Sequence, residues 1–312
     1  MWQEYPLIKV ELRALEDFLE SSFSSKRNRL DAISRGVLFA GGKRIRPAFT
    51  ILCAMCGKYD RERILPLAAC VETLHTATLV HDDIIDDADL RRGAPTVVRE
   101  QGADIAVFTG DYLLAKALVF FLKGGLEDID LGQIAAAIEA MCKGEADQFF
   151  DRGHIPDFRR YLGRIMKKTA LLFAASCTLG AHAAGCDQSV VREARRFGLY
   201  YGCAFQIADD LLDVSSERHV EGKPVMHDIK EGVFTLPVLL ATARNPETAD
   251  IFRSAGKKGA VASEVLEALR ATGAIDASLE IKERYRKKAL SHLSRLPQGE
   301  NTEILKAFAH RI

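Results

Sequence analysis

The sequence has no surplus of charge of either sign: 43 Lys and Arg stand against 43 Asp and Glu in 312 residues. A nucleic-acid binder carries a net basic face and a polybasic membrane-surface protein a basic excess, so the balance argues against both for the whole chain. Runs of β-branched residues in period-two alternation are almost absent, which argues against a sheet-built fold. No second CxxC accompanies Cys53-x-x-Cys56. The seven scattered cysteines (Cys53, Cys56, Cys70, Cys142, Cys177, Cys186 and Cys203) are therefore expected as reduced residues, mostly core, of a cytoplasmic protein. The first twenty residues include acids and no apolar h-region, unlike a secretory signal. The longest apolar stretch, 170–185, contains His182 and falls short of the roughly 18–20 residues that a span needs. The expectation is a soluble protein without an integral membrane segment.

What is present is helical periodicity over a 48% hydrophobic chain, enough for a large core. Ile8, Leu12, Leu15 and Leu19 mark a one-sided helix, as do Ile33 and Val37. Segments 66–89, 99–123, 128–151, 157–186 and 188–215 read as long helices, several of them apolar all round, as in the centre of a bundle. More helices follow from about 232, with breaks near Asn245-Pro246, Gly256–Gly259 and Leu296-Pro297. The predicted fold is all-α: one domain over 1–312, a single large bundle of ten or more helices. Three polar segments interrupt it: AGGKRIRP at 40–47, DLRRGAPT at 89–96, and the long connection 215–232, of a length often found in functional loops.

Two stretches repeat one pattern, DDIID at 82–86 and DDLLD at 209–213. Asp82 and Asp86 are four apart, as are Asp83 and Asp87, and Asp209 and Asp213, so each pair is predicted to share a helix face. Carboxylates in apolar surroundings must neutralise, pair or bind a cation. Oxygen-only ligands favour a hard cation such as Mg²⁺, which leaves coordination positions for water and phosphate. A solvated acidic face would explain one such cluster; two matched copies with apolar insertions favour metal.

Cations bracket both clusters. Lys43, Arg44 and Arg46 follow Gly41-Gly42, where the backbone can approach an anion. Arg91 and Arg92 follow the first cluster, Lys167, Lys168 and Thr169 lie in a largely apolar helix, and Lys223 lies in the polar connection. Surface solvation explains any one of them but not their joint placement. His75, seven residues before Asp82, reads either as a phosphate donor or as a satisfied core histidine. His81-Asp82 resembles the HD pair of metal phosphohydrolases, a weak signal.

GGKRIRP (41–47), ETLHTATLVHDDIIDDADLRRG (72–93), KT (168–169), FQIADDLLD (205–213), EGVFTLPVLL (231–240) and RYRKKALSHLSRLP (284–297) together resemble the trans-polyprenyl diphosphate synthases, in order and over nearly the whole chain. The resemblance implies an all-α homodimer with a central cavity between the aspartate helices. About three Mg²⁺ would bridge Asp82, Asp86 and Asp209 to an allylic diphosphate. Arg91, Lys168, Thr169, Gln206 and Lys223 would hold that diphosphate, with Asp83 and Asp210 completing the clusters. Gly42, Lys43, Arg46, His75 and Arg92 would hold isopentenyl diphosphate. Many relatives carry a second lysine after Glu-Gly; here Val233 follows Glu231-Gly232, and Lys230 lies three residues earlier.

In that family, bulky residues four and five positions before the first cluster stop chain growth. Here they are Thr78 and Ala77, with Leu74 and Val71 deeper and Ile138 or Met141 as further floor candidates. The resemblance implies a product longer than C20. A farnesyl or geranylgeranyl synthase is the shorter-chain alternative. A terpene cyclase would lack GGKRxRP and replace the second DDxxD. A non-catalytic partner subunit would show degraded aspartates, and a phosphohydrolase gives DDLLD no role.

Overall fold

The computed structural model describes residues 2–25, 28–126, 131–215, 226–258 and 262–312. The described residues are almost wholly helical, as the periodicity predicts. They form two compact units: residues 1–129, 174–195 and 293–307 in the first, and 130–173, 196–292 and 308–312 in the second.

The first unit opens with a 3₁₀ turn, Trp2–Glu4, leading into α1 (Pro6–Ser22), with Pro6 at a helix start, where its missing N–H costs nothing. Ile8, Leu12, Leu15 and Leu19 are all buried, the predicted stripe. In α2 (Arg29–Phe39) the buried positions are Asp31, Ser34 and Leu38, with Ile33 and Val37 only half-buried. Asp31 is satisfied there by the Tyr112 hydroxyl at 2.5 Å and the Ser25 amide at 3.1 Å. Nearly every residue of α3 (Ile45–Ala54) is buried. The carbonyl of Thr50 lies so close to Gly180 that any Cβ there would collide with it. α4 (Arg61–Ile85) begins at the Asp60 side chain, which accepts from the Glu62 amide at 3.1 Å.

The α4 end departs from expectation. Asp86 caps the helix, and Asp87 lies beyond it at φ +47°. Asp83 and Asp87 therefore do not share a helix face. The basic turn that follows is a minimal hairpin, β1 (Leu90–Arg91) with β2 (Ala94–Pro95). Arg92 and Gly93 both have positive φ, the type I′ geometry that matches strand twist. The helix expected over 99–123 is broken at Gly102 (φ +87°) into α5 (Val97–Gln101) and α6 (Ala103–Lys123).

The second unit holds α7 (Leu131–Phe150) and α8 (Phe158–Ile165), followed by one π-helical turn, Met166–Ala170. The helix continues as α9 (Leu171–Ala183), which from residue 174 is counted in the first unit, and α10 (Gln188–Ser215) follows, counted in the second unit from residue 196. Beyond residue 225 come α11 (His227–Lys230), α12 (Leu236–Arg244), α13 (Thr248–Lys258), α14 (Ala262–Ala271) and α15 (Ala274–Leu293), and then α16 (Glu300–His310), most of which is counted in the first unit. The breaks at Asn245 and Leu296 fall as read, whereas α13 runs through Gly256. The core of the second unit gathers Tyr161, Ile165, Ile207, Leu211, Phe234, Leu236, Phe252 and Leu269.

All seven cysteines are free thiols, and Cys53, Cys70, Cys177 and Cys203 are buried. Burial pushes the Cys56 thiol up to about 12, so it is no ready nucleophile. Among the described residues two helices, α4 and α6, neither of them the 170–185 stretch, have the length and apolarity of a membrane span. Most of the apolar window of α4 is buried. α6 exposes a stripe of Val107, Phe108, Leu118, Val119 and Leu122.

Candidate active site

The loop at 40–44 is regular in neither φ nor hydrogen bonding, and its residues divide the work. Gly41 (φ +109°) and Gly42 (φ +133°) need conformations that L side chains rarely adopt. Gly42 has a second reason: a Cβ there would sit 2.6 Å from a guanidinium nitrogen of Arg92. Arg92 also donates to the Gly41 carbonyl. Arg44 (φ +49°) is buried, and donates to Glu72 Oε1 and the Leu38 carbonyl, each at 2.6 Å. It anchors the loop rather than facing a ligand. Lys43 is exposed.

In the first turn of α3, Arg46 Nη1 lies 3.1 Å from His75 Nε2 on α4. Burial, then the positive charges of Arg46, Arg92, Arg91 and Arg44, hold His75 well below the ordinary histidine value. A neutral ring facing a guanidinium donor must accept through Nε2, which puts its proton on Nδ1. The residues read for isopentenyl diphosphate, Gly42, Lys43, Arg46, His75 and Arg92, thus fall in one neighbourhood of the first unit. His81 packs against Gly110, where a Cβ would collide with its ring, and its Nε2 lies 3.4 Å from Asp111.

Within the first cluster the aspartates are not equivalent. Asp83 is 5% exposed and accepts from Arg91 Nε at 2.6 Å; Asp82 is half-buried and Asp86 exposed. Burial pushes the Asp83 carboxyl up against the pull of Arg91, and Asp82 and Asp86 add to the rise. Upstream, Ala77 and Val71 are buried, while Thr78 and Leu74 are half-buried.

The second unit repeats the asymmetry. Asp209 is exposed, and Asp210 is 2% exposed. Asp210 accepts from the Tyr161 hydroxyl at 2.5 Å and from Gln206 Nε2 at 2.9 Å. Burial still pushes its carboxyl up to about 6. Gln206 Oε1 accepts from the Thr169 hydroxyl at 2.6 Å, so Thr169 commits its one proton to orienting Gln206. Thr169 and Lys168 both lie in the π turn, a device common at functional positions. Gly144 makes room for it: a Cβ there would lie 2.7 Å from Lys167 Cβ and 2.9 Å from the Lys168 amide. Lys168 pairs with Glu145 at 2.6 Å and Lys167 with Asp147 at 2.7 Å.

Asp213 departs from the repeat. Its carboxylate accepts from the amides of His227 (3.0 Å) and Asp228 (3.2 Å), capping α11. Tyr161 and Glu145 carry no motif signal, and sequence reasoning missed both. Lys223 lies outside the described residues. Val233 is buried and Lys230 exposed.

Among the described residues no three acidic, histidine or cysteine side chains converge into a ready metal cage. The donor chemistry still fits Mg²⁺, which takes one or two carboxylates and completes its shell with water and phosphate oxygens.

A family model described as polyprenyl synthetase matches residues 27–272. The chain belongs to that family. It is a prenyltransferase with the all-α fold of the isoprenoid synthases. It is 41% identical over 308 residues to "Heptaprenyl diphosphate synthase component 2" of Geobacillus stearothermophilus, covering 98% of this chain and 96% of the relative. It is 34% identical to the octaprenyl diphosphate synthase of Escherichia coli K12, covering 88% and 86% of the two chains. Among solved structures, the heptaprenyl diphosphate synthase of Staphylococcus aureus superposes with a TM-score of 0.91 at 35% identity over 97% of each chain. A polyprenyl synthase of Caulobacter crescentus, solved with calcium and isoprenyl diphosphate, gives 0.90 at 33% identity over 97% and 94%.

Proposed function

We propose that this synthase condenses isopentenyl diphosphate with an allylic diphosphate, 1′ to 4, in a Mg²⁺-dependent reaction, giving a trans-polyprenyl diphosphate longer than C20. The observation that carries the reading is the division of labour within the clusters. In each, the second aspartate is buried and tied to a residue of the diphosphate set, Arg91 or Gln206. The first is left accessible, as Asp82 and Asp209 are.

Asp82, Asp86 and Asp209 would hold Mg²⁺, about three ions by family resemblance. Bound there, the ions would neutralise the departing diphosphate. Arg91, Lys168 and Gln206 hold the allylic diphosphate, with Asp83 aiming Arg91, and Thr169 and Asp210 aiming Gln206. Lys223 joins that set on the motif alone. Lys43, Arg46 and Arg92 supply cations for isopentenyl diphosphate, Gly42 lets Arg92 approach, and His75 offers Nδ1–H. These groups orient the C3–C4 double bond toward allylic C1. The C1–O bond breaks, the alkene forms the new C–C bond, and a C2 proton passes to the released diphosphate, so no protein base is required.

Ala77, Thr78 and Leu74 line the path of the growing tail and leave it open past Ala77. The family neighbours named heptaprenyl and octaprenyl synthases support the longer product. The whole 1–312 chain acts as one synthase domain, working in the cytoplasm. The exposed stripe on α6 supports a homodimer.

A second reading is heteromeric, since two relatives at 41% and 38% identity carry "component 2" in their names. The intact aspartates argue that this chain would still be the catalytic partner. The test is a product assay of the purified chain with Mg²⁺, isopentenyl diphosphate and C10, C15 and C20 primers. Products beyond C20 from the chain alone support the first reading. Activity only after addition of a second polypeptide supports the other, and diphosphate release without condensation overturns both.

A further inference from the structure

We infer that Trp2 is a positioning residue for Lys43, and through it for the diphosphate of isopentenyl diphosphate. The inference rests on the reading of Lys43 given above. The indole Nε1–H of Trp2 donates to the Lys43 carbonyl at 2.6 Å, across 41 residues of sequence.

The loop at 40–44 has no helix or strand to hold it, and three side chains from elsewhere in the first unit substitute for one. Arg92 takes the Gly41 carbonyl. Glu72 and the Leu38 carbonyl hold Arg44. Trp2 takes the carbonyl of Lys43 itself. Two of the ties hold the carbonyls of residues 41 and 43 and the third holds the Arg44 side chain, so none duplicates another.

Lys43 is exposed on a long flexible stem, and its ammonium can be no better placed than its backbone. Gly41 and Gly42, just before it, are the residues that lose most conformational freedom on ordering. The indole bond opposes that freedom at its exit. Trp2 is itself well placed for this. The Tyr5 amide donates to the Trp2 carbonyl at 3.1 Å, closing the 3₁₀ turn onto α1, whose Ile8 and Leu12 are buried. The core packing of α1 thereby reaches the loop.

Trp2 is the chain's only tryptophan, so indole emission from the whole protein reports the surroundings of this one side chain. Trp2→Phe keeps an aromatic ring, smaller than the indole, and removes the donor. A neutral hydrogen bond of this kind is worth roughly three- to tenfold in an equilibrium constant. The expected result is a KM for isopentenyl diphosphate raised by about that factor, with kcat and the KM for the allylic substrate within about twofold of wild type. Titrating isopentenyl diphosphate into the full chain should shift the emission, and Lys43→Ala should remove that shift.

The outcomes separate the inference from the reading beneath it. If Lys43→Ala leaves the KM for isopentenyl diphosphate unchanged, the assignment of Lys43 is wrong. If Lys43→Ala raises it and Trp2→Phe does not, Trp2 positions nothing. If Trp2→Phe lowers the melting temperature and degrades every kinetic constant together, the bond serves the fold, and the inference also fails.

Discussion

The Tyr161 hydroxyl donates to Asp210 at 2.5 Å, and that bond gives a direction to the chain running through Gln206 to Thr169. Asp210, deprotonated, can only accept, so Gln206 must present its amide nitrogen to it and its oxygen to Thr169. Burial and Asp210 hold the Tyr161 phenol well above its ordinary value, so it stays a donor. Tyr161→Phe leaves a buried carboxylate with one partner fewer, a loss of about 1–3 kcal/mol of stability. The KM for the allylic diphosphate should rise by roughly three- to tenfold, and that for isopentenyl diphosphate should not follow. An unchanged allylic KM would show that Gln206 needs no such orientation.

Asp82 is half-buried at the C-terminal turn of α4, where a change to alanine removes charge without opening a core cavity. Asp82→Ala should therefore melt within a few degrees of wild type while losing at least about a hundredfold in kcat, the scale of a lost electrostatic contact to the developing charge. Chelation of the wild type should abolish turnover, and added Mg²⁺ should restore it. Near-normal kcat in Asp82→Ala would contradict the metal assignment.

Ala77→Phe tests the length control. A phenyl ring at this buried position on α4 narrows the route past it. Chromatography of the dephosphorylated products should show a shift to shorter chains, with condensation itself retained. An unaltered distribution would remove Ala77 from the ruler.

His75 gives the pH prediction. Its folded-state value is held below the ordinary figure of about 6.5. The unfolded chain takes up a proton there as pH falls through about 6.5, and the folded chain does not. The stability from this site is present above that pH and lost below it. Melting followed from about pH 7.5 to about pH 5.5 should show wild type losing more than His75→Gln, which keeps an acceptor for Arg46 and cannot titrate. Parallel curves would mean that His75 is protonated in the fold.

Much of this is legible in the amino-acid sequence. Ile8, Leu12, Leu15 and Leu19 announce α1 because one stripe at helical spacing has one use. The matched DDxxD clusters and GGKRxRP announce the site because few chemistries need carboxylates and guanidiniums in that order. What a motif does not carry is which atom of it is buried. DDIID and DDLLD look alike, yet Asp86 caps a helix and Asp213 caps the next one. Arg44 sits among ligand candidates and turns inward to Glu72. Tyr161 and Glu145 are set by which helix passes which, and no local signal records that. The π turn is equally silent, since the room it needs is left by Gly144 on another helix.

Asp213 has a wider consequence. The Met226 amide donates to the Asp213 carbonyl at 2.9 Å, beside the two side-chain contacts to α11. Residues 213 and 226 are therefore clasped together like the ends of a ring. Lengthening a ring is cheap, about 0.6 kcal/mol for each doubling. Insertions between the clasped ends would leave the clasp itself unchanged, whereas Asp213→Ala would remove the two side-chain contacts to α11 and leave only the main-chain bond to Met226. A stretch whose length is cheap to change is thus closed at its two ends by the backbone and side chain of one aspartate.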